Sequence, residues 1–168
     1  MAVKIRPVDF EDSKFVQEYA SDYRISQTSN IPNPYPEGGG ASWARMVISR
    51  REQGISFVFS IFEEDLFAGI MSLNAINNDD RSAELDYWIA VPYWNRGIGT
   101  EAAKQAIKYA FEDMKLETIR SACLAKNNGS FKVLEKNGFI RANEFIFEDG
   151  KFKGEIGYRY QLNKAMNN

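Results

Sequence analysis

The sequence predicts an α+β fold on one mixed sheet, in which an antiparallel meander leads into a β-α-β crossover and a closing hairpin. Three observations carry that prediction. Three apolar runs follow one another at 55–62, 66–73 and 83–91, separated only by short polar turns. After Pro92 the apolar period changes to that of a helix, and a further strand-like run follows at 118–124. Two last runs, 139–147 and 152–162, flank the turn E-D-G-K.

Taken in order, residues 3–8 (V-K-I-R-P-V) alternate as a strand does, and Asp9 opens a helix that extends to Ala20. Residues 21–40 are polar and broken, and I-P-N-P-Y-P-E-G-G-G holds three of the five prolines. The segment before it is too short to bury its own core, so 21–40 reads as a long surface loop rather than a linker. Trp43, Val47 and Arg50 fall at helical spacing and predict a helix from Ala41 to Gln53. The runs I-S-F-V-F-S-I-F and L-F-A-G-I-M-S-L, joined by E-E-D, predict a hairpin; A-E-L-D-Y-W-I-A-V, after the turn at 77–81, adds the third strand.

Ala103, Ala106, Ile107, Ala110, Phe111 and Met114 then form an amphipathic stripe. The strand before it and the strand 118–124 after it make a crossover that should be parallel and right-handed. N-N-G-S opens a short helix through Phe131, Leu134 and Glu135, and Gly138 suits the left-handed position beyond its last turn.

A length of 168 residues, at about 150 per domain, predicts a single domain over 1–168. Apolar residues make up 44% and charged residues 26%, enough for a packed core. The net charge of −2, with no basic block, argues against a duplex nucleic-acid partner, which needs surplus Lys and Arg to displace counterions. The absence of histidine removes Ser-His-Asp and Cys-His catalysis and the commonest zinc ligand, so no metal is expected. One cysteine, Cys123, permits no intrachain disulfide. No signal-like or membrane-length apolar run is present, and the chain reads as cytoplasmic, with no membrane partner.

The junction V-P-Y-W-N-R-G-I-G-T-E-A at 91–102 carries the chemistry. Amides in the first turn of a helix lack internal partners, and Gly97 and Gly99 would let an anion approach them. Arg96 sets a positive charge beside them. Alone, this loop reads as readily as a plain turn. A P-loop would need four residues between its glycines and a following Lys, and neither is present. Gly97, Gly99 and Ala102 satisfy G-x-G-x-x-A, yet the acid that a dinucleotide site places after the next strand is missing at Leu124-Ala125-Lys126.

Four stretches, K-I-R-P-V-D-F-E-D, I-P-N-P-Y-P, L-D-Y-W-I-A-V-P-Y-W-N-R-G-I-G-T-E-A and N-N-G-S-F-K-V-L-E-K-N-G-F, resemble the GNAT N-acetyltransferase superfamily, within it the RimJ/RimL-like group, from Val3 to Asn163. The resemblance implies a GNAT-like fold with helices on both faces of the sheet and acetyl-CoA as co-substrate. It places the pyrophosphate on Arg96, Gly97, Ile98, Gly99 and Thr100 and the pantetheine arm along Trp88, Ile89, Ala90 and Val91. It also sets Asn127 near the pantetheine and Ser130 near the thioester sulfur. Trp94 departs from the superfamily's usual Gln or Arg at that position, as members of the RimJ/RimL-like group do.

Acetyl transfer to an amine requires that the amine lose a proton, that the oxyanion find donors and that the departing thiolate be stabilised. Backbone amides from Ile89 to Val91 are the expected oxyanion donors. Glu84, at the start of the central strand, is the first candidate base, directly or through a water, although it reads first as a solvated strand residue; Asp86 is the second. Ser130 is a candidate donor to the leaving sulfur or a plain helix N-cap. Cys123, in an apolar strand with no histidine to activate it, reads as a packed hydrophobe. Trp43, Trp88 and Trp94 could stack on a substrate but read first as core. The resemblance alone puts Tyr35 and Glu37 at the acceptor site. The acidic turns 63–65 and 148–149 read as solvated hairpin tips. The leading expectation is an acetyl-CoA-dependent N-acetyltransferase acting on a small amine or a protein N-terminus. The alternatives are a non-catalytic CoA-binding regulatory domain and a dinucleotide-binding oxidoreductase.

Overall fold

Seven strands form one sheet in the order β1-β2-β3-β4-β5-β7-β6 in the computed structural model, which describes residues 2–166. They are β1 (Val3–Pro7), β2 (Phe57–Glu63), β3 (Leu66–Asn77), β4 (Ser82–Ile89), β5 (Thr118–Leu124), β6 (Ile140–Ile146) and β7 (Ile156–Asn163). The helices are α1 (Ser13–Ala20), α2 (Tyr23–Ser26), α3 (Gly39–Glu52), α4 (Ile98–Glu112) and α5 (Asn128–Lys136). The meander β2-β3-β4 is antiparallel, β1 extends it along β2, and β4 runs parallel to β5. A doubly wound parallel sheet is therefore not what these strands build, which removes the architecture a dinucleotide site rests on.

Helix α4 buries Ile98, Ala102, Ala103, Ala106, Ile107 and Phe111 on one face of the sheet. Its run of alanines lets the helix axis approach the strands closely, and Leu134 of α5 joins the same core. On the other face Val16 of α1 and Val47 of α3 pack on Val58, Phe67 and Ile70. Both faces are thus covered by helices.

Several boundaries move from their expected places for local reasons. Asp9 caps a 3-10 turn over Phe10–Asp12 in a reciprocal box with Asp12, and α1 starts only at Ser13. The carboxylate of Asp12 is buried and accepts from Arg6 and from the Ser60 hydroxyl, which commits that turn to the sheet. The 21–40 loop contains the short helix α2, and α3 begins at Gly39, two residues before the expected start. Strand β4 ends at Ile89, not at Val91, because the chain enters a 3-10 turn over Val91–Tyr93 around Pro92. The connection between β6 and β7 is longer than a four-residue turn and runs from Phe147 to Glu155. Among the described residues no helix is long and apolar enough to cross a membrane.

Candidate active site

Strands β4 and β5 pair only from Ser82↔Thr118 to Glu84↔Arg120. Beyond that point β4 stays with β3 and β5 stays with β7, so the two part. The last link between them is a side chain: the Ser121 hydroxyl donates to the Leu85 carbonyl at 2.7 Å. The gap above it opens into a cleft of about 1310 Å³ that reaches both faces of the sheet.

Strand parity decides what faces this gap. The Ala90 amide donates to the Ala68 carbonyl at 2.8 Å, so the main-chain groups of Trp88 and Ala90 belong to the β3 ladder. Those of Tyr87 and Ile89 point to the open side. Of the amides expected to serve an oxyanion, that of Ala90 is therefore already committed, and that of Ile89 faces the gap. The Ile89 carbonyl accepts from the Trp94 indole at 2.7 Å, which gives this half-exposed tryptophan a role in holding the strand end to the following loop. Gly69 makes the arrangement possible: a Cβ there would collide with the Trp88 carbonyl.

The loop into α4 passes through left-handed conformations at Asn95 (φ 61°) and Gly97 (φ 77°). Gly97 is the N-cap and no side chain caps the helix, so the first-turn amides at Ile98, Gly99 and Thr100 are left for another acceptor. A Cβ built on Gly99 would stand 3.4–3.6 Å from Tyr87, Val133 and Ile89, in ordinary contact. The protein would tolerate that methyl; what it would fill is the cleft. The residues present thus fit an anionic group laid against the start of α4.

Arg96 does not stand alone beside those amides. Its guanidinium pairs with Glu63 at 2.5 Å, and the Glu63 side chain is only 5% exposed. The expected solvated tip at 63–65 is therefore solvated only at Glu64 and Asp65, and Glu63 is a buried partner of the loop.

Asn127, not Ser130, caps α5: its Oδ1 accepts from the Ser130 amide at 3.1 Å. This leaves the Ser130 hydroxyl to interact with the Tyr87 phenol and the Cys123 thiol. Burial pushes Tyr87 up to about 12, against the downward pull of that hydrogen bond, so the phenol stays protonated across the physiological range. Burial likewise pushes the Cys123 thiol up to about 11, which keeps it a neutral thiol. Tyr87 is the residue that sequence reading missed. The signal was the alternation of β4, which sets it opposite Asp86 and Trp88 and toward α4.

On the other face the cleft is lined by Asp86, Trp88, Tyr35, Glu37 and Trp43. Asp86 accepts from the Asn74 amide group at 3.0 Å. Trp43 and Trp88 both pack on the α1–α3 core and present a surface to the cleft, so the two readings of these rings coincide. Glu84 is exposed at the closed end, where β4 still pairs with β5, and is not among the residues lining the cleft. Among the described residues, Asp86 and Glu37 are the carboxylates that do line it.

Comparison with known proteins bears on the family and the fold. Residues 3–140 match the family model described as an acetyltransferase (GNAT) domain. An uncharacterized N-acetyltransferase, p20, of Bacillus licheniformis is 27% identical over 83% of this chain and 83% of its own length. A spermidine N(1)-acetyltransferase of Escherichia coli K12 is 26% identical over 92% of this chain and 83% of its own length. Among solved structures, a ribosomal-protein alpha-N-acetyltransferase, RimL, in complex with coenzyme A superposes with a TM-score of 0.90 at 16% identity, covering 97% of this chain and 94% of that one.

Proposed function

The chain belongs to the GNAT acetyltransferase family, whose reaction is acetyl-CoA-dependent N-acetylation, and from that premise we propose how its own residues divide the work. The observation that carries the reading is the gap between β4 and β5, with an uncapped helix start on one side of the sheet and a carboxylate on the other. The diphosphate of acetyl-CoA takes the amides of Ile98, Gly99 and Thr100, and Lys132 and Lys136 of α5, which line the same cleft, face its remaining negative charge. The thioester arm runs along the open edge of β4, where the main chain of Tyr87 can pair with its amides and the Ile89 amide is left for the oxyanion.

The acceptor is a primary amine, a protein N-terminus or a small amine, held on the Asp86 face among Tyr35, Trp43 and Trp88. Aromatic faces and carboxylates suit a cationic ammonium group. Asp86, ahead of Glu84, takes the proton, directly or through a water. The amine nitrogen then attacks the carbonyl carbon while the Ile89 amide donates to the oxyanion. As the intermediate collapses the C–S bond breaks, the nitrogen gives up its extra proton, and the departing thiolate takes one to leave as the CoA thiol. Ser130, backed by the neutral Tyr87 phenol, donates a hydrogen bond to the departing sulfur. No covalent enzyme intermediate is needed.

The test uses acetyl-CoA with a library of peptides, polyamines and other amines, read by thiol release and mass spectrometry. Acetyl-CoA should raise Tm where NAD does not. Asp86→Asn should lower kcat by about 100-fold or more, in the range of lost acid–base catalysis, while Glu84→Gln stays near the parent. Donor binding without turnover of any amine would favour a regulatory CoA-binding role. A loss in Glu84→Gln with Asp86→Asn unaffected would reverse the assignment.

A further inference from the structure

The loop between β6 and β7 and the segment after α2 come from distant parts of the chain, yet one side chain ties them together. The ammonium of Lys151 donates to the main-chain carbonyls of Ser26, Ser29 and Ile31 at 2.5, 2.7 and 2.7 Å. An ammonium has three hydrogens and here meets three carbonyl oxygens, so its donor capacity is filled without a carboxylate. Three carbonyl dipoles that converge on one point repel one another unless a cation sits between them. The first of them also belongs to the last residue of α2, where the helix leaves its carbonyls unpaired. Loss of hydration in that carbonyl ring lowers the Lys151 pKa from its ordinary value.

Both tethered segments line the cleft. Ser29 and Ile31 do so from one, and Phe147 and Phe152 from the other. The Lys151 ammonium also lies 5.4 Å from the Phe152 ring centroid, so clasp and cleft wall are one unit. Loops of this length would otherwise move independently, and the wall they form would have no fixed shape.

We propose that Lys151 is a positioning residue for the acceptor: by clasping the carbonyls of Ser26, Ser29 and Ile31 it locks two loops into one rigid wall of the acceptor side. The proposal rests on the reading that this cleft holds donor and acceptor together. It assigns Lys151 no contact with the reacting atoms. Its effect therefore falls on acceptor KM, not on chemistry or donor affinity.

The test compares the parent with Lys151→Met, which keeps the stem and removes the ammonium, and with Lys151→Arg. Acetyl-CoA affinity is measured by calorimetry, kcat and KM with the amine turned over fastest in the library, and loop order by hydrogen exchange. Lys151→Met should raise acceptor KM about tenfold, with kcat and acetyl-CoA Kd within twofold of the parent. Exchange should quicken at 26–31 and 147–155 while the sheet stays protected. Lys151→Arg should recover part of the KM loss, because one cation returns in a different shape. Unchanged exchange in Lys151→Met would show that there is no clasp. Quickened exchange with unchanged acceptor KM would show a clasp that positions nothing; either result overturns the proposal. A parent that fails to bind acetyl-CoA, by contrast, would defeat the reading of the cleft itself, while the exchange result would still decide the clasp.

Discussion

Arg96 and Glu63 form an ion pair at 2.5 Å in which the carboxylate is buried and the guanidinium is half in solvent. The second oxygen of Glu63 has no hydrogen-bond partner, so Arg96 is what offsets the charge there. The pair joins the end of β2 to the loop that opens α4, 33 residues away in sequence, and so ties that turn to the meander.

The two halves of this pair are not equivalent under substitution. Arg96→Met leaves a buried carboxylate without compensation and should cost about 1–3 kcal/mol in urea unfolding. Glu63→Gln removes the charge together with the need to balance it, and should cost less than Arg96→Met. Equal losses in the two variants would show that the pair matters only through packing.

Tyr87 and Cys123 contribute to the fall of stability at alkaline pH. Both have folded pKa values raised by burial, Tyr87 to about 12 and Cys123 to about 11. In the window between unfolded and folded values, the folded state holds more protons than the unfolded chain. Stability contributed by these groups is complete below about pH 9, declines from there for the thiol and from about pH 10 for the phenol, and is lost as pH passes the folded values. The Tyr87 contribution is on the order of 2 kcal/mol. Tyr87→Phe combined with Cys123→Ala should flatten the fall of Tm between pH 9 and pH 11. A slope unchanged from the parent would refute this account.

Gly69 lies where β3 passes the Trp88 carbonyl too closely for a Cβ. Gly69→Ala should push the end of β4 toward the gap and cost about 1–3 kcal/mol, the usual range for forced overpacking. Chemical denaturation reads the stability loss, and calorimetry with acetyl-CoA reads the displaced strand edge as weakened binding. A variant with parental stability would mean that β3 relaxes without strain.

What the linear chain showed by itself is the order of the strands and main helices and the position of the glycine-bearing turn before α4. The apolar runs at 55–62, 66–73 and 83–91 and the alanine-rich stripe of α4 are local patterns, and local pattern is what a sequence records. Gly97 was legible for the same reason, since a left-handed turn before a helix has few residues that suit it. The three-dimensional packing alone decided which groups share the cleft. It placed Asp86 inside and Glu84 at the closed end, because the point where β4 leaves β5 depends on β7 holding β5 away. It also brought Glu63 to Arg96, Ser130 to Tyr87 and Lys151 to the carbonyls of Ser26, Ser29 and Ile31. Those meetings join residues 33 or more positions apart, and no periodicity connects them. They follow from the way the sheet closes, which only the whole set of strand pairings defines.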